Sequence, residues 1–500
     1  MITWGVSANS HNASLTVFDG DKIVFSSHSE RFSRIKNDPH LNNKIVNYAL
    51  EWGYPSEVIW YEDPILKSVR QLKAGQGWMF GKNNVDKYMR KYGIHSPVHT
   101  MSHHHSHAAA GYYTSGFENA TVIVIDSIGE FETLTVWEGI GQNLYQIFSQ
   151  GFPHSIGLFY SAMTQRLGLK PNEDEYILMG MAAYGDGNKY FDEILDTFFD
   201  LTPSAIDNIF GKIPTIKLKH NLHRGCLWWK PDMIAHEFGG PTFWAYDVAA
   251  GTQRVYELLL ETISREARSR TTSNNLVLMG GCALNCSANT NIYNMWDNVW
   301  IMPDPGDSGS SIGSVLAYRG RHIDWPGPYL GYEIEGILNY DRIINELESI
   351  GLCGIARGNA EIGPRALGNR SLIADPRDPN CKRRVNHIKQ RQEFRPFAPA
   401  ILAEHANDYF DGPTGPYMQY TPKCREPERF PGIVHTDGTS RVQTVTREDN
   451  PSFRELLELW YDKTGCPMLL NTSLNIKGQP MVNDLADANN FEKKYGVKVC

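Results

Sequence analysis

Two stretches of the chain share a strand–turn–strand–turn–strand pattern, and any fold must accommodate both. Ile2 to Ser7 reads as a strand, Ser14 to Phe18 as a second, and Asp19-Gly20-Asp21 turns the chain into a third over Lys22 to Ser27. The pattern returns at Thr121–Ile125, which ends on Asp126, at Glu132–Trp137 and, past a turn at Gly139 and Gly141, at Leu144–Ser149. A repeat of about 120 residues predicts a duplicated α/β fold. Helical periodicity follows each copy, over Leu41–Trp52 in the first and over Leu158–Leu167 and Thr242–Ala267 in the second. Strands over Leu276–Met279 and Val299–Met302 then run into Gly280-Gly281 and Pro303–Asp307, and a helix follows to about Tyr318.

At 500 residues the chain has room for two to four domains, each with a full core. The Pro- and Gly-rich stretch from Asp324 to Gly331 is the best linker, so the division falls near residues 325–335. The net charge of −8 excludes a protein that coats nucleic acid through bulk charge. The charge is uneven, however: residues 382–395 hold six Lys or Arg and one Glu. No run reaches the ~18 apolar residues of a membrane span. Eight Cys are too sparse for a disulfide scaffold, and no signal peptide is visible, so a cytoplasmic setting is expected.

Three groups of residues could carry chemistry. His103 and His107 sit at i and i+4 of a helical stretch, so both imidazoles project from one face, as two ligands of one metal ion would. Asp126 and Asp307 each close a predicted strand and could complete the set; a surface run of histidines is the plainer alternative. Gly129, Gly280-Gly281 and Gly309 stand at strand ends, where backbone N–H groups approach phosphates; ordinary α/β turns would look the same. There is no Walker A motif and no GxGxxG. Arg365, Arg370, Lys389, Arg391, Arg395 and, later, Arg441 suit phosphate or another small anion; a solvated basic face is the plainer alternative. His11, after the first strand, is a candidate general base or a structural turn histidine.

The ordered stretches GVSANSHNASL (5–15), HSERFSRIKND (28–38), HHHSHAAAGYYTSGF (103–117), VIDSIGE (124–130), MGMAAYG (179–185), GGCALNC (280–286), PGDSGSSIGS (305–314), EIGPRALGNRS (361–371), FRPFAPA (394–400), HTDGTSRVQTV (435–445) and LLNTSLN (469–475) span nearly the whole chain. Through them the chain resembles the O-carbamoyltransferases of the tobramycin, cephem and nodulation-factor type. The resemblance implies duplicated actin-like (ribonuclease H-like) ATPase lobes over 1–328, divided near 118, and a YrdC-like α/β domain over 329–500. It implies ATP and carbamoyl phosphate as substrates, carbamoyl-adenylate as the intermediate and a hydroxyl as acceptor. By motif, His103, His107, Asp126 and Asp307 match ligands of a divalent metal, Fe(II), with Mg accompanying ATP. His11 matches the base on the acceptor hydroxyl. Gly129, Gly280, Gly281, Asn285 and Gly309 match the nucleotide turns. Arg365, Lys389, Arg395, Arg441, Ser473 and Asn475 match the carbamoyl phosphate and adenylate pocket. Three positions depart from the family pattern: Ile177 replaces a usual Lys, Gln392 a usual Glu, and Asn359 lies where an Arg is common. Similarity to phage-type members implies 5-hydroxymethylcytosine in DNA as acceptor and a phage protein acting in a bacterial host. A small-molecule hydroxyl and a tRNA threonylcarbamoyl transfer are the competing readings. A homodimer is a further expectation.

Overall fold

The computed structural model describes residues 1–200, 216–233 and 243–500. Its first sheet is built from β1 (Ile2–Ser7), β2 (Ser14–Asp19), β3 (Lys22–His28), β4 (Glu57–Trp60) and β5 (Val98–Thr100), in the order β3-β2-β1-β4-β5. The second contains β6 (Asn119–Ile125), β7 (Glu132–Ile140), β8 (Asn143–Gly151), β9 (Asn275–Met279) and β10 (Asn298–Trp300), ordered β8-β7-β6-β9-β10. In each sheet the first three strands form an antiparallel meander, and the last two join the first strand in parallel. Order and direction are therefore the same in both, and the duplicated ribonuclease H-like lobes are present. Gly139, expected in the turn, lies within β7 opposite Leu144. It is small because the Tyr112 ring packs there: a Cβ would lie 2.3 Å from it.

A mixed third sheet, β11 (Leu352–Ala356), β12 (Arg370–Ala374), β13 (Ala398–Leu402), β14 (Gln443–Val445) and β15 (Met468–Ser473), runs in the order β11-β12-β15-β13-β14. It has its own core, around Ile355, Leu372, Ile401, Phe453, Trp460 and Leu469. The YrdC-like designation of this unit rests on the resemblance alone. The last residues of the proline-rich stretch enter a strand, Tyr329–Ile334, which pairs with Gly358–Glu361.

Around the sheets lie α1 (Pro64–Lys73), α2 (Val85–Arg90), α3 (His103–Tyr112), α4 (Glu175–Ala182), α5 (Cys286–Tyr293) and α6 (Ser310–Arg319), among other helices. The long helix anticipated at 242 is described from Phe243 to Arg270; Thr242 lies outside the described residues. Helices α3 and α6 pack on each other between the two sheets, and small residues let them do so. A Cβ on Gly313 would lie 1.9 Å from the Ser106 carbonyl oxygen, and one on Gly5 in β1 would lie 1.8 Å from that of Ser311. A Cβ on Gly111 would lie 2.4 Å from the Val277 side chain and 2.6 Å from that of Met279 in β9. Each helix thus packs across to the other lobe: α3, from the first, lies on the second sheet, and α6, from the second, lies on β1. Ala108–Ala110, Val122, Val124, Ile312 and Val315 form the shared core. This exchange carries the first turn of α3 and the loop before α6 to one point.

Candidate functional site

At that point four side chains converge. One donor atom from each of His103, His107, Asp126 and Asp307 lies within 4.8 Å of the others. His103 Nε2 is 3.0 Å from Asp126 Oδ2 and 3.5 Å from Asp307 Oδ1. His107 Nε2 is 3.5 Å from Asp307 Oδ1 and 3.1 Å from His103 Nε2. Two imidazole nitrogens facing each other at that distance, both buried, do not share a hydrogen bond comfortably when each also faces carboxylates. Two nitrogens and two carboxylate oxygens around one centre are the donor set of a divalent Fe, Mn or Zn ion. The surroundings fit as well: His107 Nδ1 lies 3.2 Å from Ser310 Oγ, which fixes the ring as the outer hydrogen-bond partners of metal-bound imidazoles do. Burial would lower the His103 pKa, but Asp307 and Asp126 outweigh it and raise it to about 10. Burial works against the Asp126 charge, and the hydrogen bond and positive field of His103 overcome it, so its carboxyl is held low.

The supporting residue that motif reading did not single out is Glu130. Its carboxylate accepts the His103 N–H at 3.0 Å, capping α3, and the Asp63 N–H at 2.6 Å, just before α1. One side chain of the second lobe therefore anchors two helix starts of the first. Gly129 lies beside it, and a Cβ there would press on the His103 ring at 3.0 Å. Gly281 backs Asp126 in the same way, and Gly280, at φ +90°, passes under the Ile125 carbonyl. Three glycines expected at a nucleotide thus also border the four-residue cluster. Gly309 precedes α6 and packs against the Asp304 carbonyl. Asn285 caps α5 through the Ala288 N–H and exchanges hydrogen bonds with Gln253.

His11 lies in the loop after β1, between Asn9 and Asn12, both in the left-handed region. Its Nε2 is buried and has no hydrogen-bond partner. It faces Glu175 at the start of α4. Glu175 is held by Ser161 Oγ and the Asn172 N–H, each at 2.6 Å, and burial raises its carboxyl above the usual range.

The basic residues gather at the edge of the third sheet. Lys389 Nζ donates to the Ser473 carbonyl, to Asn475 Oδ1 at 2.9 Å and to the Asn475 carbonyl at 3.1 Å. Ser473 Oγ donates to Asn475 Oδ1 at 2.7 Å. Arg395 lies 4.7 Å above the Tyr176 ring of α4, and Arg391 lies 4.2 Å above Phe397. No carboxylate pairs with Arg365, Lys389, Arg391, Arg395 or Arg441 among the described residues. Burial and the neighbouring Arg441 lower Arg365 to about 9; burial and the Arg391 and Arg395 charges hold Lys389 well below the usual lysine range. Arg441 Nε is buried without a partner. Five crowded cations without a carboxylate among them are costly to bury unless an anion joins them. Sequence reading placed Arg391 in this group; Tyr176 it missed, because nothing local marks an aromatic floor.

The three departures sit in different surroundings. Ile177 is 3% exposed and part of the second lobe's core. Gln392 keeps a buried Oε1 without a partner. Asn359 donates to the Tyr329 carbonyl and accepts from Asn369, within the short two-stranded ribbon.

The two groups are joined through the backbone. Gly363, two residues before Arg365, has φ +83° and sits so close that a Cβ would lie 2.4 Å from the Pro303 carbonyl. Arg31 Nη2 donates to the Gly363 carbonyl at 3.1 Å. His28 Nε2 is 2.7 Å from Asp304 Oδ2, whose Oδ1 accepts from Ser308 Oγ. The loop carrying Asp307 and the loop carrying Arg365 are thus clamped together over the HSERF segment.

The chain thus carries two groups of opposite chemical character, one with the donor set for a cation and one with the charges to suit anions. The chain belongs to the carbamoyltransferase family: the "Carbamoyltransferase N-terminus" model matches residues 69–316 and the "Carbamoyltransferase C-terminus" model residues 344–500. It is 33% identical to the nodulation protein NolO of Bradyrhizobium diazoefficiens over 78% of this chain and 75% of that one. To the 3'-hydroxymethylcephem-O-carbamoyltransferase of Amycolatopsis lactamdurans it is 26% identical over 95% of this chain and 94% of that one. An uncharacterized Synechocystis protein is 32% identical over 97% and 93% of the two chains. Among solved structures, nucleotide-bound HypF matches at 14% identity and a TM-score of 0.34, over 63% of this chain and 46% of that one, too slight a likeness to bear on the site. No described helix is long and apolar enough to cross a membrane.

Proposed function

We propose that the chain joins carbamoyl phosphate and ATP into carbamoyl-adenylate at the cationic pocket and transfers the carbamoyl group to an acceptor hydroxyl beside His11. The observation that carries this reading is the pairing of an anion pocket lacking carboxylates with a two-histidine, two-aspartate cluster, in a chain of this family.

With one water, carbamoyl phosphate and ATP balance to carbamoyl-adenylate, phosphate and pyrophosphate. A carbamate oxygen bonds to the α-phosphorus, and the bond to pyrophosphate breaks. Arg365, Lys389, Arg395 and Arg441 neutralise the phosphates as charge moves onto the leaving group. Ser473 and Asn475 hold the Lys389 ammonium in place. The adenylate has what carbamate lacks, a good leaving group.

In the second step His11 takes the acceptor's proton as its oxygen attacks the carbamoyl carbon, and AMP departs. Neutral imidazole suits that role near physiological pH, and His11 Nε2 has its hydrogen-bonding capacity free. Held by His103, His107, Asp126 and Asp307, a divalent cation such as Fe(II) would supply Lewis-acid polarisation at this centre. The glycine turns at 129, 280–281 and 309, with Asn285, are assigned to the nucleotide. For the acceptor we infer the hydroxymethyl group of 5-hydroxymethylcytosine in DNA.

Incubating the protein with ATP, carbamoyl phosphate and candidate acceptors tests the reading. It predicts pyrophosphate release that requires carbamoyl phosphate, and an acceptor heavier by one carbamoyl group. Absence of any carbamoylated hydroxyl refutes it. Acceptors from DNA, aminoglycosides, nucleosides and tRNA decide among the classes.

A further inference from the structure

Between β4 and β5 the chain makes an excursion through α1 and α2. Residues 64–93 hold seven Lys or Arg and a single acidic residue, Asp86, within a chain of net charge −8. Helix α1 begins at the transfer centre, because the Asp63 N–H shares the Glu130 carboxylate with His103. It leads out to a ledge built from both lobes. Lys73 Nζ sits 5.3 Å over the ring of Phe131, the residue after Glu130. Gln76 Nε2 is 3.1 Å from His223 Nε2, and Arg224 Nη2 would lie 3.6 Å from a Cβ on Gly75. Trp78 leans on Phe80 with centroids 4.7 Å apart and is 74% exposed. Leu227 and Trp228, beyond Arg224, are also exposed.

Lys73, Lys82 and Arg224 have no carboxylate partner among the described residues, and Arg70 Nε is buried without a hydrogen bond. Unneutralised cations beside an exposed indole suit a ligand offering both phosphates and stackable rings. Proteins hold single nucleic-acid strands in this way: cations follow the backbone and aromatic rings receive the bases. An acidic peptide would use the charges and leave Trp78 idle. A membrane would need a longer amphipathic face than ten-residue α1 provides.

We propose that this ledge docks a nucleic-acid strand and feeds a hydroxyl-bearing nucleotide to His11, an inference that rests on the transfer reaction proposed above. The binding is local and owes nothing to bulk charge. With about three phosphates neutralised, the log–log salt slope is roughly −2 to −3.

Fluorescence anisotropy of a labelled single-stranded DNA oligonucleotide with the full chain tests this, read between about 50 and about 200 mM NaCl. The ledge predicts saturable binding with that slope. The double variant Lys73→Glu, Arg224→Glu weakens binding and flattens the slope by about two. Trp78→Ala weakens it about tenfold with the slope unchanged. Both variants keep wild-type pyrophosphate release, because none of the three side chains belongs to the cationic pocket or the metal cluster. No oligonucleotide binding, an unchanged slope in the double variant, or equal binding of polyglutamate or phosphatidylserine vesicles overturns the proposal. Loss of carbamoyl phosphate-dependent pyrophosphate release in the wild type overturns the reaction instead, and anisotropy still judges the ledge on its own.

Discussion

Single residues separate the two proposed half-reactions. Lys389→Ala removes the ammonium that ties Ser473 and Asn475 together, and should abolish carbamoyl phosphate-dependent pyrophosphate release. His11→Asn should still release pyrophosphate and form adenylate, while transfer falls by roughly 10²- to 10⁴-fold, the range of a lost general base. Product mass spectrometry beside a pyrophosphate assay reads both variants; adenylate surviving in Lys389→Ala would remove the pocket assignment. The residues behind these predictions differ in how visible they are. His103 and His107 can be read from spacing, since i and i+4 fix a shared helix face. Asp126 is visible only as a strand end, and Asp307, expected at another, lies instead in the loop seven residues past β10. Glu130 is invisible as a helix cap, because the N–H groups it accepts belong to residues 63 and 103. Tyr176 beneath Arg395 is likewise a contact across more than 200 residues of chain, with no local trace.

At the scale of elements, the crossing of α3 and α6 positions the metal-type cluster. Helix propensity alone predicts that Gly313→Ala gains about 1 kcal/mol. The 1.9 Å approach to the Ser106 carbonyl reverses that sign, since a backbone atom cannot swing away. We expect a loss of roughly 1–3 kcal/mol and weaker metal retention, because α3 carries His103 and His107. Thermal melts and metal analysis after dialysis check both, and a more stable variant with intact metal binding would contradict the packing account. The strand pattern was legible because both meanders alternate with clear turns. The exchange of helices was not, because its signal is a set of glycines whose partners lie 27 to 306 residues away in sequence: Gly139 with Tyr112 is the nearest such pair, and Gly5 with Ser311 the farthest.

On the scale of the whole molecule, the two lobes and the third sheet meet over the segment from His28 to Asp38. Glu30 is buried there and holds Lys36 Nζ at 2.9 Å and the Asn37 N–H at 2.8 Å. Burial pushes its carboxyl up, but Lys36, Arg31 and His28 outweigh that and bring it from 4.5 down to about 2. The unfolded chain therefore takes up this proton first as the pH falls. The stabilisation is complete above about pH 4.5 and disappears towards pH 2, at roughly 3 kcal/mol in all. Glu30→Gln should flatten the acid limb of the stability curve over that window, as denaturant melts at stepped pH would show; an unchanged limb removes Glu30 from the account. The clamp of Gly363 against Pro303 and His28 was hidden in the sequence, although both segments stood out as motifs. The central claim is that one chain holds two separable sites acting in series. The most direct measurement adds preformed carbamoyl-adenylate and acceptor to the Lys389→Ala and His11→Asn proteins and weighs the acceptor. The account predicts that Lys389→Ala regains transfer and His11→Asn does not. Rescue of both, or of neither, would contradict it.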